Sequence, residues 1–550
     1  MKRLTLLVLP LLAILAGGCD GPDKPPPVST PAPLREIRVA YDPTKSGMFA
    51  ELAKAYNSRS SVKVTAIRME NPDMADAIAR GELVGVSPDS SVWMEKFDQV
   101  WLAAGRSESS VIGTTVRYAT TPVVIATWRG READLGPPVE RGWSTLLARA
   151  RTDAGFRWSH GSPRASASGL LALTAEFYAG AGKTFGLSKA DADKQQVREY
   201  VKDIEKTVAR YGGDSDAALV DYLLKEGPKA ASAMVLPEAS VFDFNSRTKS
   251  DRLVEIAPVE GTLMLDHPLI LVETPTLTSD QRKAFLDFGR FLIGSEGQAI
   301  VARYGFRPVD LAFDMETSPL KAQGIPTEQP RLLQMPSRGV LSYIKDSWAL
   351  GLKRRANIML VVDASGSMAG DKLAKTKEAL ISFLKQIPSD DERVGMVAFS
   401  DDLVDVVPLD RLGSNRNTLN EHVTKLREGG NTAFYYAVWY AVQSLAKQDD
   451  KERINVVVAM TDGLENRSGN RVGTDAPGLG RVPRIVGTGR DSTPLVRVLS
   501  GSGVLVFTVG YGGDADMDNL GRISSGMGGQ AYRADPNTIR KLYELISQNF

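Results

Sequence analysis

Residues 357–368, NIMLVVDASGSM, decide how the second half of this chain folds. An apolar run, Ile358 to Val362, breaks off into one carboxylate and two hydroxyls: Asp363, Ser365 and Ser367, with Gly366 between the serines. The run does not alternate between polar and apolar positions. Strands of that kind fit the centre of a parallel sheet covered by helices on both faces. INVVVAM, residues 454–460, reads the same way. In open sheets of this type, ligands lie beyond the carboxyl ends of the strands. Both runs end there in oxygen-bearing side chains, DASGSM after the first and TDG (Thr461 to Gly463) after the second. A third piece, GGNTAF, sets Thr432 just before a long apolar helix.

Further runs alternate between helix and strand patterns around these: KLAKTKEALISFLKQI, RVGMVAFS, TAFYYAVWYAVQSLAK and GVLVFTVGYG. An α/β domain is expected from this alternation. Hydroxyls and carboxylates are hard oxygens suited to Mg²⁺, and Ca²⁺ or Mn²⁺ accept the same donors. Asp and Ser also cap helices, but capping accounts for neither Thr432 nor Asp462.

The D-x-S-x-S of Asp363, Ser365 and Ser367, the loop threonine Thr432 and the later Asp462 resemble a von Willebrand factor A domain with its metal-ion-dependent adhesion site. The resemblance covers residues 350–550 and implies a Rossmann-like, doubly wound and mostly parallel sheet. It also implies that Ser365, Ser367 and Thr432 bind the ion directly, while Asp363 and Asp462 act largely through water. One coordination position is then left for the acidic residue of a protein partner. One departure is the stretch after TDGLEN, residues 467–493, rich in glycine and carrying five arginines. It reads as a solvated insertion or as a loop that meets an acidic partner or headgroup.

Working outward, 550 residues are too many for one core at roughly 100–200 residues per domain. Lys plus Arg number 67 against 66 for Asp plus Glu, a balance that argues against bulk nucleic-acid binding. The N-terminus, MKRLTLLVLPLLAILAGGC, has two cations, an apolar run and small residues, the pattern of an export signal. LAGGC resembles the lipobox of bacterial lipoproteins, which makes residues 1–19 a signal peptide and Cys19 the lipidated residue; the alternative is a simple secretory signal. No other cysteine is present, so disulfides and thiolate metal sites are excluded from the mature fold. Residues 20–35 are proline-rich and read as an extended tether. Asp20 resembles the signal retaining lipoproteins in the inner membrane. The expected location is therefore the extracytoplasmic face of a bacterial envelope, with a lipid anchor as the sole membrane contact.

Residues 36–313 alternate strands and helices again, and 314–349, with four prolines in its first part, reads as a linker. HGSPRASASGLLALTAEFYAG, residues 160–180, puts hydroxyls before an apolar helix, a place that favours an anion or polar ligand. With DPTKSGMF, SPDSSVW and two crossover-like strands, TTPVVIATW and DHPLILVE, the layout resembles a type 2 periplasmic solute-binding protein. That implies two α/β lobes, 36–118 with 274–313 and 128–262, and a small solute or anion between them. Candidate cleft residues are Thr44, Ser46, Ser90, Ser91, Ser166 and Ser168, each with a helix-capping reading of equal weight. Trp93 and Trp128 read as cleft-lining or as packing residues, with packing the favoured reading.

GAGKT, residues 180–184, imitates a phosphate-binding loop, but Phe177 stands where a glycine is needed and a helix precedes it. His160, His267 and His422 are scattered without H-E-x-x-H, which points away from catalytic zinc. No nucleophile, base and oxyanion donor assemble, so the chain reads as a binding protein and not an enzyme. The alternative assignment is the receptor of an ABC-type importer with the A domain as a docking accessory.

Overall fold

A computed structural model describes residues 36–546 other than 107, 213–214, 489–490, 537, 540–541 and 544–545. The signal segment, Cys19 and the proline-rich tether lie outside the described residues. No helix among the described residues is long and apolar enough to cross a membrane.

The second domain is a six-stranded sheet flanked by helices. Its strands lie in the order Leu403–Arg411, Arg393–Phe399, Arg355–Asp363, Arg453–Thr461, Val504–Tyr511 and Ala531–Ala534. All neighbours are parallel except the edge strand Leu403–Arg411. The unbroken apolar runs occupy the middle because both of their faces are covered. Ile358, Leu360 and Val362 point into one buried cluster, and Met359 and Val361 point into the other. Helix Asp371–Gln386 packs on the first face and Phe434–Ala446 on the second. The first strand of the domain lies between its second and fourth, so the strand order reverses there. A crevice therefore opens at the carboxyl end of Arg355–Asp363, beside Arg453–Thr461.

The first domain has two sheets, as its two-lobed reading requires. One lobe orders Lys63–Arg68, Glu36–Tyr41, Gly85–Ser87, Pro268–Val272 and Ile112–Arg117. The other is built on Ala119–Trp128, which pairs with Ala233–Pro237, Leu253–Ile256, Met264–Leu265 and Arg307–Pro308. The chain crosses between lobes at Tyr118–Ala119 and again at Asp266–His267. Strand Pro268–Val272 already belongs to the first lobe, a few residues before the return at 274 expected from sequence.

Residues 314–349 connect the domains as ordered chain. The Arg307 guanidinium, paired with the buried Glu238, also donates to the carbonyls of Pro326, Thr327 and Glu328. Tyr178 donates its hydroxyl to the carbonyl of Gln334 at 2.6 Å. Arg338–Ser347 is a helix that the sequence reading did not include, and it runs into a π turn, Trp348–Leu352. Its Val340, Ile344 and Trp348 share a helix face and join one buried cluster with Leu171 and Tyr211 of the first domain and Leu380 of the second. Arg210 also reaches across the junction to the carbonyl of Gly528 at 3.0 Å.

Candidate metal site and solute cleft

Asp363 ends the central strand with no exposed surface. Its carboxylate accepts the Ser365 N–H at 2.8 Å on one oxygen and the Thr461 hydroxyl at 2.5 Å on the other. Burial pushes its pKa up to about 6 against these hydrogen bonds, and the neighbouring Asp462 adds to the rise. The Ser365 and Ser367 hydroxyls are 3.0 Å apart, and Ser367 donates to Asp462 at 2.6 Å. Lys372, in the first turn of the next helix, places its ammonium 2.5 Å from the other Asp462 oxygen.

Thr432 is brought to this cluster by backbone pairing. Gly366 N–H donates to the Gly430 carbonyl at 3.0 Å, and Gly429 N–H to that of Ala364 at 2.9 Å. Gly430 adopts φ +75, a left-handed backbone that favours glycine, and a Cβ there would displace the Asp401 carboxylate. On the other side Asn466 accepts the Thr432 N–H at 3.0 Å and returns its own N–H to the Thr432 carbonyl at 3.1 Å. Gly463 reports the space enclosed. A Cβ on it would lie 3.0 Å from the Thr432 hydroxyl and 3.4 Å from that of Ser367. Three hydroxyls and two carboxylates thus surround a small space kept clear by a glycine. The donor set fits a hard divalent cation, whose ligands are oxygens and retained waters. Sequence reasoning named the five oxygen-bearing residues and quoted Thr461 and Gly463 at the strand's end without giving them a role; it passed over Asn466, the last residue of TDGLEN, and Lys372.

The segment 467–493 folds onto the domain where it is described. Ala476, Val482 and Ile485 are buried in the sheet's second cluster, and Arg471 pairs with Asp402 at 2.9 Å while lying over the Tyr436 ring.

In the first domain the six candidate hydroxyls divide among local roles. Thr44 and Ser46 serve the turn at Asp42 and Pro43, the former through its N–H on Asp42 at 2.9 Å. Ser91 N–H and the Ser90 hydroxyl meet Asp266 at 2.7 and 3.2 Å. Ser166 caps helix Ala167–Ala181 through the Gly169 N–H, and Ser168 donates to Asp216 at 2.7 Å. Trp128 donates to the Ala231 carbonyl and packs on Phe244, as a core residue does.

The charges beside these hydroxyls escaped the sequence reading. Asn71 bridges Asp42 and Asp89 through its amide nitrogen at 2.9 and 3.0 Å. Asp216, from the opposite lobe, faces the same pair closely enough to raise the pKa of Asp89. Burial lifts Asp89 well above the usual carboxylate range, and it pushes Asp216 up to about 7 with Asp42 adding to the effect. Lys45 is buried beside them, driven down to about 8 by burial against the pull of Asp42, Asp89 and Asp266. The Asn71 Oδ1 and both His267 ring nitrogens have no hydrogen-bond partner among the described residues. Ser215 reaches Glu70 at 3.4 Å across the lobes, so this seam is closed.

Comparison with known proteins agrees with both halves. Residues 37–307 match the family described as bacterial extracellular solute-binding protein, and residues 357–545 match the von Willebrand factor type A domain. The chain therefore carries an N-terminal bacterial solute-binding domain, two-lobed and periplasmic-binding-protein-like, followed by a C-terminal von Willebrand factor A domain. Inter-alpha-trypsin inhibitor heavy chain H4 of Bos taurus is 32% identical over 114 residues, 20% of this chain and 12% of that protein. This chain thus spans only a small part of that relative's length. Among solved structures, the sulfate-binding protein SubI of Mycobacterium tuberculosis H37Rv covers 56% of this chain and 96% of its own, at 17% identity and TM-score 0.41. A von Willebrand factor type A protein of Catenulispora acidiphila covers 36% and 43%, at 19% identity and TM-score 0.29.

Gly463→Ala tests the enclosed space. Isothermal titration with Mg²⁺ or Mn²⁺ is expected to show affinity lowered by on the order of tenfold or more, because a small ion that demands near-ideal geometry tolerates little crowding. Melting in chelator is expected to stay close to that of the parent chain. Unchanged affinity would mean the space beside Gly463 is not where the ion binds.

Proposed function

We propose that this chain is a lipid-anchored, extracytoplasmic binding protein that grips a protein partner through a divalent cation, Mg²⁺ in the first instance. The observation carrying this reading is the convergence of Asp363, Ser365, Ser367, Thr432 and Asp462 around the space at Gly463. The Ser365, Ser367 and Thr432 hydroxyls would hold the ion directly. Asp363 and Asp462 would supply its counter-charge through the hydrogen bonds that now bind them to Thr461, Ser365 and Ser367. The ion contributes a focused positive charge with a free position for a partner's carboxylate. Placement at the carboxyl edge of the sheet keeps that position within reach of another protein. Cys19, if acylated, would hold the chain at a membrane with more than the two-signal minimum for stable anchoring.

The solute-binding domain supports a second reading, receptor for an ABC-type importer, and the seam between its lobes indicates the solute's charge. Asp42, Asp89 and Asp216 face one another there with Lys45 as the nearest cation. A buried excess of carboxylates repels an anion and is relieved by a cationic group such as an amine.

Two experiments separate the readings. Chelator treatment or Asp363→Ala is expected to abolish capture of the partner while leaving the first domain's melting transition in place; capture that survives both removes the metal mechanism. For the solute, organic cations are expected to raise the melting temperature of the first domain, and sulfate or phosphate to leave it unchanged. That cation effect should weaken as pH falls below about 7, because a proton taken up by Asp216 removes the charge the ligand needs. Stabilisation by anions instead would overturn the assignment of the seam.

A further inference from the structure

Away from both sites, three ionisable side chains meet inside the second lobe. His160 comes from strand Trp158–Gly161, Glu176 from the middle of helix Ala167–Ala181, and Glu205 from the last position of helix Gln195–Glu205. All three have no exposed surface. Glu176 is the one charged residue of its helix, ASGLLALTAEFYAGA, which is otherwise apolar or small and buried over most of its length. A carboxylate at such a position needs a partner.

The ligand-competent atoms of the three, an imidazole nitrogen and two carboxylate oxygens, all lie within 4.8 Å of one another. His160 Nε2 stands 3.3 Å from Glu205 Oε1. Among the described residues, neither Glu176 oxygen accepts a hydrogen bond as a carboxylate, and Glu205 Oε1 and His160 Nε2 have only each other, as an ion pair when the ring is charged. One nitrogen and two carboxylate oxygens, one atom from each residue, are therefore gathered at a single buried point. The surroundings are arranged as around a metal ligand. His160 Nδ1 is 2.8 Å from the Gly161 carbonyl, which can only accept, so Nδ1 carries a proton and Nε2 is the nitrogen that faces the carboxylates, with a lone pair when the ring is neutral. Glu205 Oε2 is held by the Tyr211 hydroxyl at 2.6 Å and the Trp348 indole N–H at 2.7 Å. Such outer hydrogen bonds fix the tautomer and orientation of metal ligands.

We propose that His160, Glu176 and Glu205 form a second metal site, which takes one divalent ion of the Zn²⁺, Mn²⁺ or Fe²⁺ class. The charges close: one neutral imidazole, two carboxylates and one divalent cation sum to zero in a dry interior. A nitrogen with two carboxylate oxygens suits these borderline ions better than Mg²⁺, whose ligands are oxygens alone. The ligand atoms need only a small contraction to reach bonds of about 2.0–2.2 Å. The role is structural. Trp348 belongs to the π turn after the interdomain helix, so an ion on Glu205 fastens the lead-in of the A domain to the solute-binding domain.

The rival is a proton shared between Glu176 and Glu205 beside a charged His160, which is also neutral overall. The experiment uses the full chain carrying Asp363→Ala, so that the oxygen cradle does not contribute ions, refolded from denaturant with Zn²⁺, Mn²⁺ or Co²⁺ and dialysed. Elemental analysis is expected to find one equivalent of metal. The Co²⁺ form should show visible d–d absorption with nitrogen ligation, and the metal-loaded chain should melt higher than chain refolded in chelator. Adding Glu176→Gln, a near-isosteric change that can still hydrogen-bond Glu205, should remove all three signals. Should that variant fail to fold, the metal content and spectrum of the parent background decide alone. Substoichiometric metal there, with melting equal in every ion and in chelator, assigns the cluster to a shared proton and overturns the proposal.

Discussion

A carboxylate with no exposed surface is costly, and the A domain is built around one. Asp363 stands at the tip of the central strand, where burial opposes its ionised form. Its two oxygens take hydrogen bonds from Thr461 on the neighbouring strand and from the Ser365 backbone, which fixes the loop that carries the serines. Parallel pairing of Arg355–Asp363 with Arg453–Thr461 sets that neighbour in register. The shape of the loop and the placement of its hydroxyls are tied to this carboxylate by those two hydrogen bonds. Under the proposed function, a divalent ion nearby would offset the cost and tie the stability of the tip to its occupancy.

The same economy of charge recurs in the first domain. At the interlobe seam Asp42, Asp89 and Asp216 oppose one another with Lys45 buried beside them. In the second lobe Glu176 and Glu205 face His160. Buried polar groups are tolerated when paired, and these three places hold more acid than their visible partners balance. The cluster of Glu176, Glu205 and His160 also touches the junction of the domains through Trp348. Because one apolar cluster runs from the second lobe through Ile344 and Trp348 into the A domain, the two halves share a core at that point.

How much of this was legible in the sequence depended on contrast. Asp363, Ser365, Ser367 and Asp462 stand out because they follow long apolar runs, and Thr432 because it opens an apolar helix. The two lobes were legible from alternating elements and two long apolar crossover stretches. The acidic seam was not, since single aspartates in loops are commonplace and Asp216 comes from a different lobe than Asp42 and Asp89. His160 was read as one of three scattered histidines; its partners lie on separate helices, and no short spacing announces them. The interdomain helix Arg338–Ser347 was hidden by the proline-rich chain before it, which suggested a spacer.

The central claim is that an ion sits among the oxygens at the sheet's tip. Crystals of the full chain grown with Mn²⁺ and measured at the manganese absorption edge test it directly. An anomalous peak within bonding distance of the Ser365, Ser367 and Thr432 hydroxyls is the predicted result. A well-ordered tip with no peak between those oxygens would contradict it.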